Sequence, residues 1–170
     1  LHVSYRSLPT EGVWSSKTTR MSSVYNVKSS ILSGQTNISA QVPAVCQSVS
    51  CSFQNQSSEN VAGTNNNELN TLQGITRVAF LFNDATNKYV TYQIDDQNEM
   101  LHRYIDSFKN TGHNQVMLDT FRTNGGFGIG VDFQGSVDLS NQRFAVQLDS
   151  DINASKPANV YLYFHSIQSI

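Results

Sequence analysis

Short runs in which apolar and polar side chains alternate recur along this chain and limit what it can fold into. The clearest runs cover residues 127–133 (FGIGVDF), 143–148 (RFAVQL) and 160–165 (VYLYFH). Because successive side chains of a strand point to opposite faces, a period of two predicts strands with one buried face and one outward face. The chain is therefore expected to consist mainly of β-sheet.

The polar side of these strands is neutral rather than charged. Ser, Asn, Thr and Gln together make up about 38% of the residues, whereas charged residues make up 14%. A neutral hydrogen-bonding group costs less to remove from water than a full charge does. Such a surface favours close contact with neighbouring subunits or with sugars.

Length and charge exclude several classes of protein. The 170 residues fit one domain, and a net charge of −2 with scattered Lys and Arg gives no basic patch for nucleic acid. No apolar run approaches the ~20 residues that cross a bilayer. Since the chain begins with Leu1 rather than Met, and no signal-peptide pattern follows, we expect a single domain over 1–170 that is a piece of a larger protein.

The alternating pattern and the turn residues between its runs predict a series of strands. These cover residues 18–27, 36–42, 44–53, 75–82, 89–94, 116–121, 127–133, 143–148 and 160–167. Between the third and fourth strands, residues 54–74 are dominated by Asn, Ser, Gln and Gly without apolar periodicity. A stretch of that length is expected to be an exposed loop with a functional role.

One segment has the period of a helix, predicted over residues 97–109. Asp96 can cap its start together with Glu99 three residues later, and Gly112 can end it. Four apolar residues at spacings of three and four form a single stripe: Leu101, Tyr104, Ile105 and Phe108. This stripe is expected to pack on a sheet edge or on an adjoining domain.

Eight or nine strands around one inserted helix, without alternation of strands and helices, predict an all-β fold. Chains of this kind close their sheets as an antiparallel jelly-roll sandwich, with the apolar faces of two sheets about 10 Å apart. The core would come from residues such as Phe127, Ile129, Phe144 and Val146.

The two cysteines, Cys46 and Cys51, are five residues apart. In one continuous strand over 44–53 this odd spacing puts them on opposite faces, where a disulfide cannot form. A bulge or a turn between them would permit a bridge. In the continuous strand, Cys51 is expected on the apolar face, together with Val45, Val49 and Phe53. Cys46 is expected on the polar face, together with Ser48, Ser50 and Ser52.

Two apparent ligand motifs have simpler interpretations. The glycine-rich residues 124–130 lack the helix and the Lys-Ser/Thr of a phosphate loop, so Gly128 and Gly130 indicate close approach of another backbone or subunit. Residues 149–153 begin like a calcium loop but lack its later Gly and Glu, which favours a polar turn.

No catalytic, cofactor-binding or metal-binding residue is predicted, and the chain is not expected to be an enzyme. The histidines share no ligand spacing and are expected to be structural: His2, His102, His113 and His165. The acidic residues weighed as a glycosidase pair have no pattern that supports it: Asp95, Asp96, Asp119 and Asp132. No serine or cysteine has the context of an activated nucleophile.

The order of these elements resembles a viral jelly-roll capsid domain. Residues 38–42 lead through Pro43 into 45–53, and after the helix come 127–133, 139–144 and 160–164. The pattern is most similar to the C-terminal roll of the double jelly-roll (hexon-type) major capsid proteins, although this chain has room for only one roll. The resemblance implies a structural virion protein that self-assembles into trimeric capsomers and a capsid shell inside the host cell. Its partners would be copies of itself and other capsid proteins, without a cofactor, and the loop at 54–74 would belong to an outer tower.

A carbohydrate- or receptor-binding β-sandwich, such as a viral spike head or an adhesin, is the alternative. Exposed aromatic rings would then serve as sugar platforms beside Asn and Gln donors. The candidate rings are Trp14, Tyr89, Tyr92, Tyr161 and Tyr163. Cross-strand packing within a sheet is the structural explanation for the same tyrosines.

Overall fold

A computed structural model describes residues 20–31, 34–42, 45–56, 59, 75–82, 87–93, 97–109, 128–150 and 158–169. The elements in chain order are β1 (Arg20–Ile31), β2 (Gly34–Ala40), β3 (Val45–Asn55), β4 (Ile75–Phe82), β5 (Asn87–Gln93), α1 (Gln97–Phe108), β6 (Gly128–Asp138), β7 (Phe144–Ser150) and β8 (Ala158–Ser169). Strands therefore dominate, as the alternating pattern predicts.

The strands form two antiparallel sheets of four strands each. The first sheet has the order β1-β8-β3-β6 and the second has the order β2-β7-β4-β5. Four of the pairs are nested, because β1 pairs with β8, β2 with β7, β3 with β6 and β4 with β5. A long hairpin wound into two facing sheets has this pairing, which defines a jelly roll. The predicted fold class is confirmed.

The main core lies between the two sheets. Its central ring is Phe144 of β7, which is fully buried. The centroid of this ring lies 5.4 Å from that of Phe82 and 6.1 Å from that of Phe80, both in the second sheet. It lies 5.7 Å from the ring centroid of Phe164 in the first sheet. The contact with Phe164 is edge-to-face and joins the two sheets across their apolar faces. A second, smaller buried cluster lies on the outer face of the second sheet: Ala79, Leu81 and Ala145.

The predicted elements agree with the described ones to within a few residues. The strand predicted over 75–82 matches β4 in full, and the helix predicted over 97–109 is α1, ending at Phe108. Strand β1 continues to Ile31, four residues beyond its predicted end, and β6 continues to Asp138. The strand predicted over 116–121 lies outside the described residues.

A bulge in β3 overturns the predicted position of Cys46. Cys46 pairs with Ser166 and Ser48 pairs with His165, so Gln47 is an extra residue in the strand. The face of the strand therefore changes at Gln47, and Cys46 joins Cys51 in the core, with both side chains 0% exposed. The prediction that Cys46 shares the serine face is wrong because it assumed an uninterrupted strand.

The same bulge turns Val45 outward, where it is 41% exposed instead of lying on the apolar face. Both thiols are free. Four ladder positions separate Cys46 from Cys51, since their β8 partners are Ser166 and Leu162. That separation is about 13 Å along a strand, too far for a disulfide.

Two predicted turns begin later than expected. Strand β3 includes Gln54 and Asn55, so the strand occupies the first two residues of the predicted 54–74 loop. Asp149 and Ser150 belong to β7 rather than to a polar turn, and Asp149 Oδ2 pairs with Arg77 Nε of β4 at 2.5 Å. Apart from Gln56 and Glu59, residues 56–74 lie outside the described part of the chain, so their role as a loop stays a prediction.

Candidate assembly surface

Helix α1 packs on the outer face of the first sheet, over β6 and β3. A Cβ atom at Gly128 would lie 2.6 Å from Tyr104 Cε2, and one at Gly130 would lie 2.5 Å from Ser107 Cβ. Real Cβ atoms do not approach other atoms so closely, so a side chain at either position would force the neighbouring atoms of α1 to shift. A close approach is present at these glycines, but the nearest approaching atoms are side chains of the chain's own helix rather than another backbone or a neighbouring subunit.

The serine face of β3 completes this contact. Ser48 Oγ donates a hydrogen bond to the Ser107 carbonyl oxygen, and Ser52 Oγ lies 3.0 Å from the Tyr104 hydroxyl. The last carbonyl groups of a helix lack partners within the helix, so Ser48 satisfies one that is buried. Ser48, Ser50 and Ser52 are at most 1% exposed. The expectation that this face contacts other subunits is wrong, because α1 covers it.

His165 of β8 is buried at the edge of the same contact. Its Nε2 atom lies 3.0 Å from Ser50 Oγ, and its ring centroid is 4.7 Å from that of Phe108 on α1. Its Nδ1 atom is buried without a hydrogen-bond partner. Burial disfavours the charged imidazolium and lowers the pKa of His165 to about 4. This histidine is therefore neutral at neutral pH and serves to pack the helix on the sheet.

The described acidic and histidine candidates do not form a common site. Asp132 on β6 forms an ion pair with Lys109, and its Oδ1 accepts a hydrogen bond from the Gln134 backbone N–H at 3.1 Å. His102 is exposed on α1, whereas His165 is buried between α1 and the sheet. His2, His113, Asp95, Asp96 and Asp119 lie outside the described residues.

The described tyrosines each make packing or hydrogen-bonding contacts within the domain. The Tyr92 ring lies 6.1 Å from Phe80, and the Arg103 guanidinium of α1 lies over its face. Tyr89 packs edge-to-face against Phe82 at 5.4 Å. Tyr161 donates its hydroxyl proton to Glu59 Oε1 at 2.5 Å. These contacts fit cross-strand packing better than open sugar platforms; Trp14 lies outside the described residues.

A polar surface lies on the outer face of the second sheet, along β2 and its partner β7 and beside the Arg77–Asp149 ion pair. We call it the amide surface: Asn37, Ser39, Gln41 and Gln147. Arg77 Nη2 donates to Gln147 Oε1 at 3.4 Å, and Gln147 Nε2 donates to Asn37 Oδ1 at 3.0 Å. The side chains are thus ordered across three strands, and Asn37 is exposed for contacts outside the domain.

The exposed side of α1 is charged, in contrast to the amide surface. Glu99 and Arg103 form an ion pair at 3.4 Å one helical turn apart. Asp106 and Lys109 are exposed nearby. Because charges strongly favour contact with water over burial, this side of the domain fits solvent and the amide surface fits a protein contact.

The described residues contain neither a metal-binding cluster nor a membrane-crossing helix. No group of three or more His, Cys, Asp or Glu there could hold a metal ion. No described helix is both long and apolar enough to span a membrane.

The jelly-roll class is set by the strand pairing. Two solved structures are similar to the chain at low identity. The chain is similar to the major capsid protein P2 from bacteriophage PM2, with 14% identity, a TM-score of 0.47 and 88% of this chain aligned to 46% of that one. It is also similar to the mavirus major capsid protein, with 11% identity, a TM-score of 0.40 and 89% of this chain aligned to 38% of that one.

The chain thus spans less than half the length of either capsid protein. No protein-family model and no curated protein matches the sequence. At these identities and TM-scores the likeness carries no argument, and any argument about function depends on the residues themselves.

Proposed function

We propose that this chain is a jelly-roll capsid domain that assembles with copies of itself into trimeric capsomers and a virion shell. The observation that supports this function most is the amide surface, formed by exposed Asn37, Ser39 and Gln41 with half-buried Gln147, where the neighbouring charges of Arg77 and Asp149 are paired with each other. Subunits of a shell must bury such faces repeatedly, and symmetry adds their weak contacts together.

The physical reason is the low cost of drying amides and hydroxyls. An Asn or Gln at an interface exchanges hydrogen bonds with water for hydrogen bonds with the partner, whereas an unpaired buried charge costs several kcal/mol. The preformed bond between Gln147 and Asn37 reduces the side-chain freedom that assembly would otherwise remove. The amide surface is therefore suited to burial against another subunit.

Sedimentation velocity of the purified chain tests the assembly. We expect a concentration-dependent trimer or larger particle. Asn37→Asp keeps the size of the side chain and its acceptor for Gln147 but adds a charge. An interfacial charge that costs about 2 kcal/mol or more weakens association more than tenfold.

Asn98→Asp is the matched control, because the same substitution then falls on an exposed position of the charged helix α1. Its association should equal that of the unmodified chain. A chain that is monomeric at all concentrations and shifts on a glycan array would refute the capsid function and favour the carbohydrate-binding alternative. Equal weakening by both substitutions would also contradict the assignment of the amide surface.

A further inference from the structure

Strand β1 is a long and regular edge of the first sheet. Among the described strands it pairs only with β8, and all 12 of its residues do so without a register shift. The other described edges are shorter or interrupted: β2 and β5 have seven residues each, and the pairing of β6 with β3 skips from Asp132 to Val137. A regular edge of about 40 Å presents a row of backbone donors and acceptors that another strand can bind.

The side chains of β1 do not protect this edge. Val24 and Tyr25, on opposite faces of the strand, are 54% and 43% exposed. Edge strands are commonly protected by proline, by a bulge or by an outward lysine. The lysine of β1, Lys28, is instead held over its own sheet, since its ammonium pairs with Glu59 and lies 5.7 Å from the centroid of the Tyr161 ring.

The sequence of β1 complements itself when two copies run antiparallel about Asn26. Tyr25 of one copy then lies opposite Val27 of the other, so apolar side chains meet on the core-facing side. On the outer side Lys28 lies opposite Val24, so cation does not face cation. A pairing centred on Val24 would instead put Arg20 opposite Lys28, and like charges directly opposite each other are destabilising.

We propose that β1 binds the β1 strand of a second copy of this chain, antiparallel and centred on Asn26, which joins two first sheets into one continuous sheet. Main-chain hydrogen bonds would supply the attraction, and the apolar contact of Tyr25 with Val27 would fix the register. This contact is separate from the amide surface, which lies on the second sheet, and it does not depend on a role in a capsid.

Disulfide trapping tests both the partner and the register. Residues directly opposite each other in an antiparallel pair have Cα atoms about 4.5–5.5 Å apart, which a disulfide can bridge. Purified Asn26→Cys chain under mild oxidation should therefore form a covalent dimer, visible on a non-reducing gel. The native thiols of Cys46 and Cys51 are buried and do not compete.

Three control variants make the result specific. Val24→Cys alone should stay monomeric on the gel, because its copies would be about four residues apart, whereas Val24→Cys mixed with Lys28→Cys should form a mixed dimer. Asn37→Cys, exposed on β2, measures random collision. We expect at least tenfold more dimer from Asn26→Cys than from Asn37→Cys.

Two results would overturn the proposal. Equal yields from Asn26→Cys and Asn37→Cys would exclude pairing through β1, and efficient linkage of Val24→Cys to itself would exclude the register. Without cysteine substitutions, Val24→Lys should weaken association through β1 at least tenfold, since it puts two lysines opposite each other. Adding Asn37→Asp to Asn26→Cys should leave the linkage unchanged, which separates this contact from the amide surface.

Discussion

Acid should weaken this fold through His165, and the size of the effect follows from its burial. The side chain is 4% exposed, and its partners in the sheet ladder are the uncharged Val24 and Ser48. Phe108 covers its ring, and Ser50 lies at Nε2. A proton on this imidazole would place an unpaired charge between helix α1 and the sheet.

The size of this loss of stability follows from the difference between the pKa of His165 in the unfolded chain and its pKa in the folded chain. The ordinary pKa of histidine is 6.5, and burial lowers the pKa of His165 to about 4 in the folded chain. Between these values the unfolded chain binds a proton that the folded chain does not, so stability falls as the pH falls. At 1.36 kcal/mol per pKa unit, the loss from this residue is about 2 kcal/mol at pH 5 and about 3 kcal/mol at pH 4.

Urea unfolding at several pH values from 8 to 4 measures this loss. The free energy of unfolding of His165→Gln should depend less on pH than that of the unmodified chain, by about 3 kcal/mol over the whole range. Comparing the two chains at each pH removes the contribution of the carboxylates, which titrate in both. His102→Gln, at an exposed position on α1, should follow the unmodified chain. Identical pH dependence of the unmodified chain and His165→Gln would refute the reasoning.

Two further predictions concern the helix contact and the thiols. Gly130→Ala should destabilise the fold by about 1–3 kcal/mol in thermal or urea unfolding, because its Cβ would overlap α1. Gly135→Ala is the control, since that residue has open space around it, and it should change stability by less than about 1 kcal/mol. Equal effects of the two substitutions would contradict the packing of α1 on β6. Burial raises the pKa of the Cys46 thiol to about 11 and raises that of Cys51 further. Both thiols should therefore react with a disulfide reagent at pH 8 at least about a hundredfold more slowly in the folded chain than in urea, and fast reaction of the folded chain would contradict their burial.

Periodicity predicts most of this fold because burial and strand direction are coupled residue by residue. Strand β4 and helix α1 were each predictable to within a residue, since each buries a regular set of positions. The winding of eight strands into two sheets followed from their number and from the single helix. Pairing partners could not be read from periodicity, because they depend on contacts between residues far apart in sequence.

The bulge at Gln47 marks where period-based reasoning fails. One extra residue reverses the face of every strand residue before it. Val45 therefore points outward and Cys46 points into the core, the opposite of what an uninterrupted strand predicts. The sequence around Gln47 contains neither glycine nor proline, which would mark such a point. The position of the bulge is determined by the fit of β3 to β6 and β8, which one strand's sequence does not contain.

The docking of α1 did leave a signal in the sequence. Gly128 and Gly130 alternate with apolar residues, so both belong to the outer face of their strand, and Ser48, Ser50 and Ser52 occupy the neighbouring face of β3. Together they form an area of small side chains that admits a helix closely. The sequence of β3 alone suggests that its serines contact another subunit. The sequences of β3 and β6 taken together, as neighbouring strands, indicate a bound helix.

The two polar strand faces of this domain differ in the size of their side chains. Serine and glycine bring a helix near enough for Ser48 to bind a carbonyl group at the helix end, a role that needs a short side chain. Asn37 and Gln147 are longer, bond to each other across β2 and β7, and leave no room for so close an approach. The short side chains of β3 thus lie under the chain's own helix, whereas Asn37 stays exposed on β2. The second sheet, rather than the serine face of the first, is where we propose that a neighbouring subunit binds.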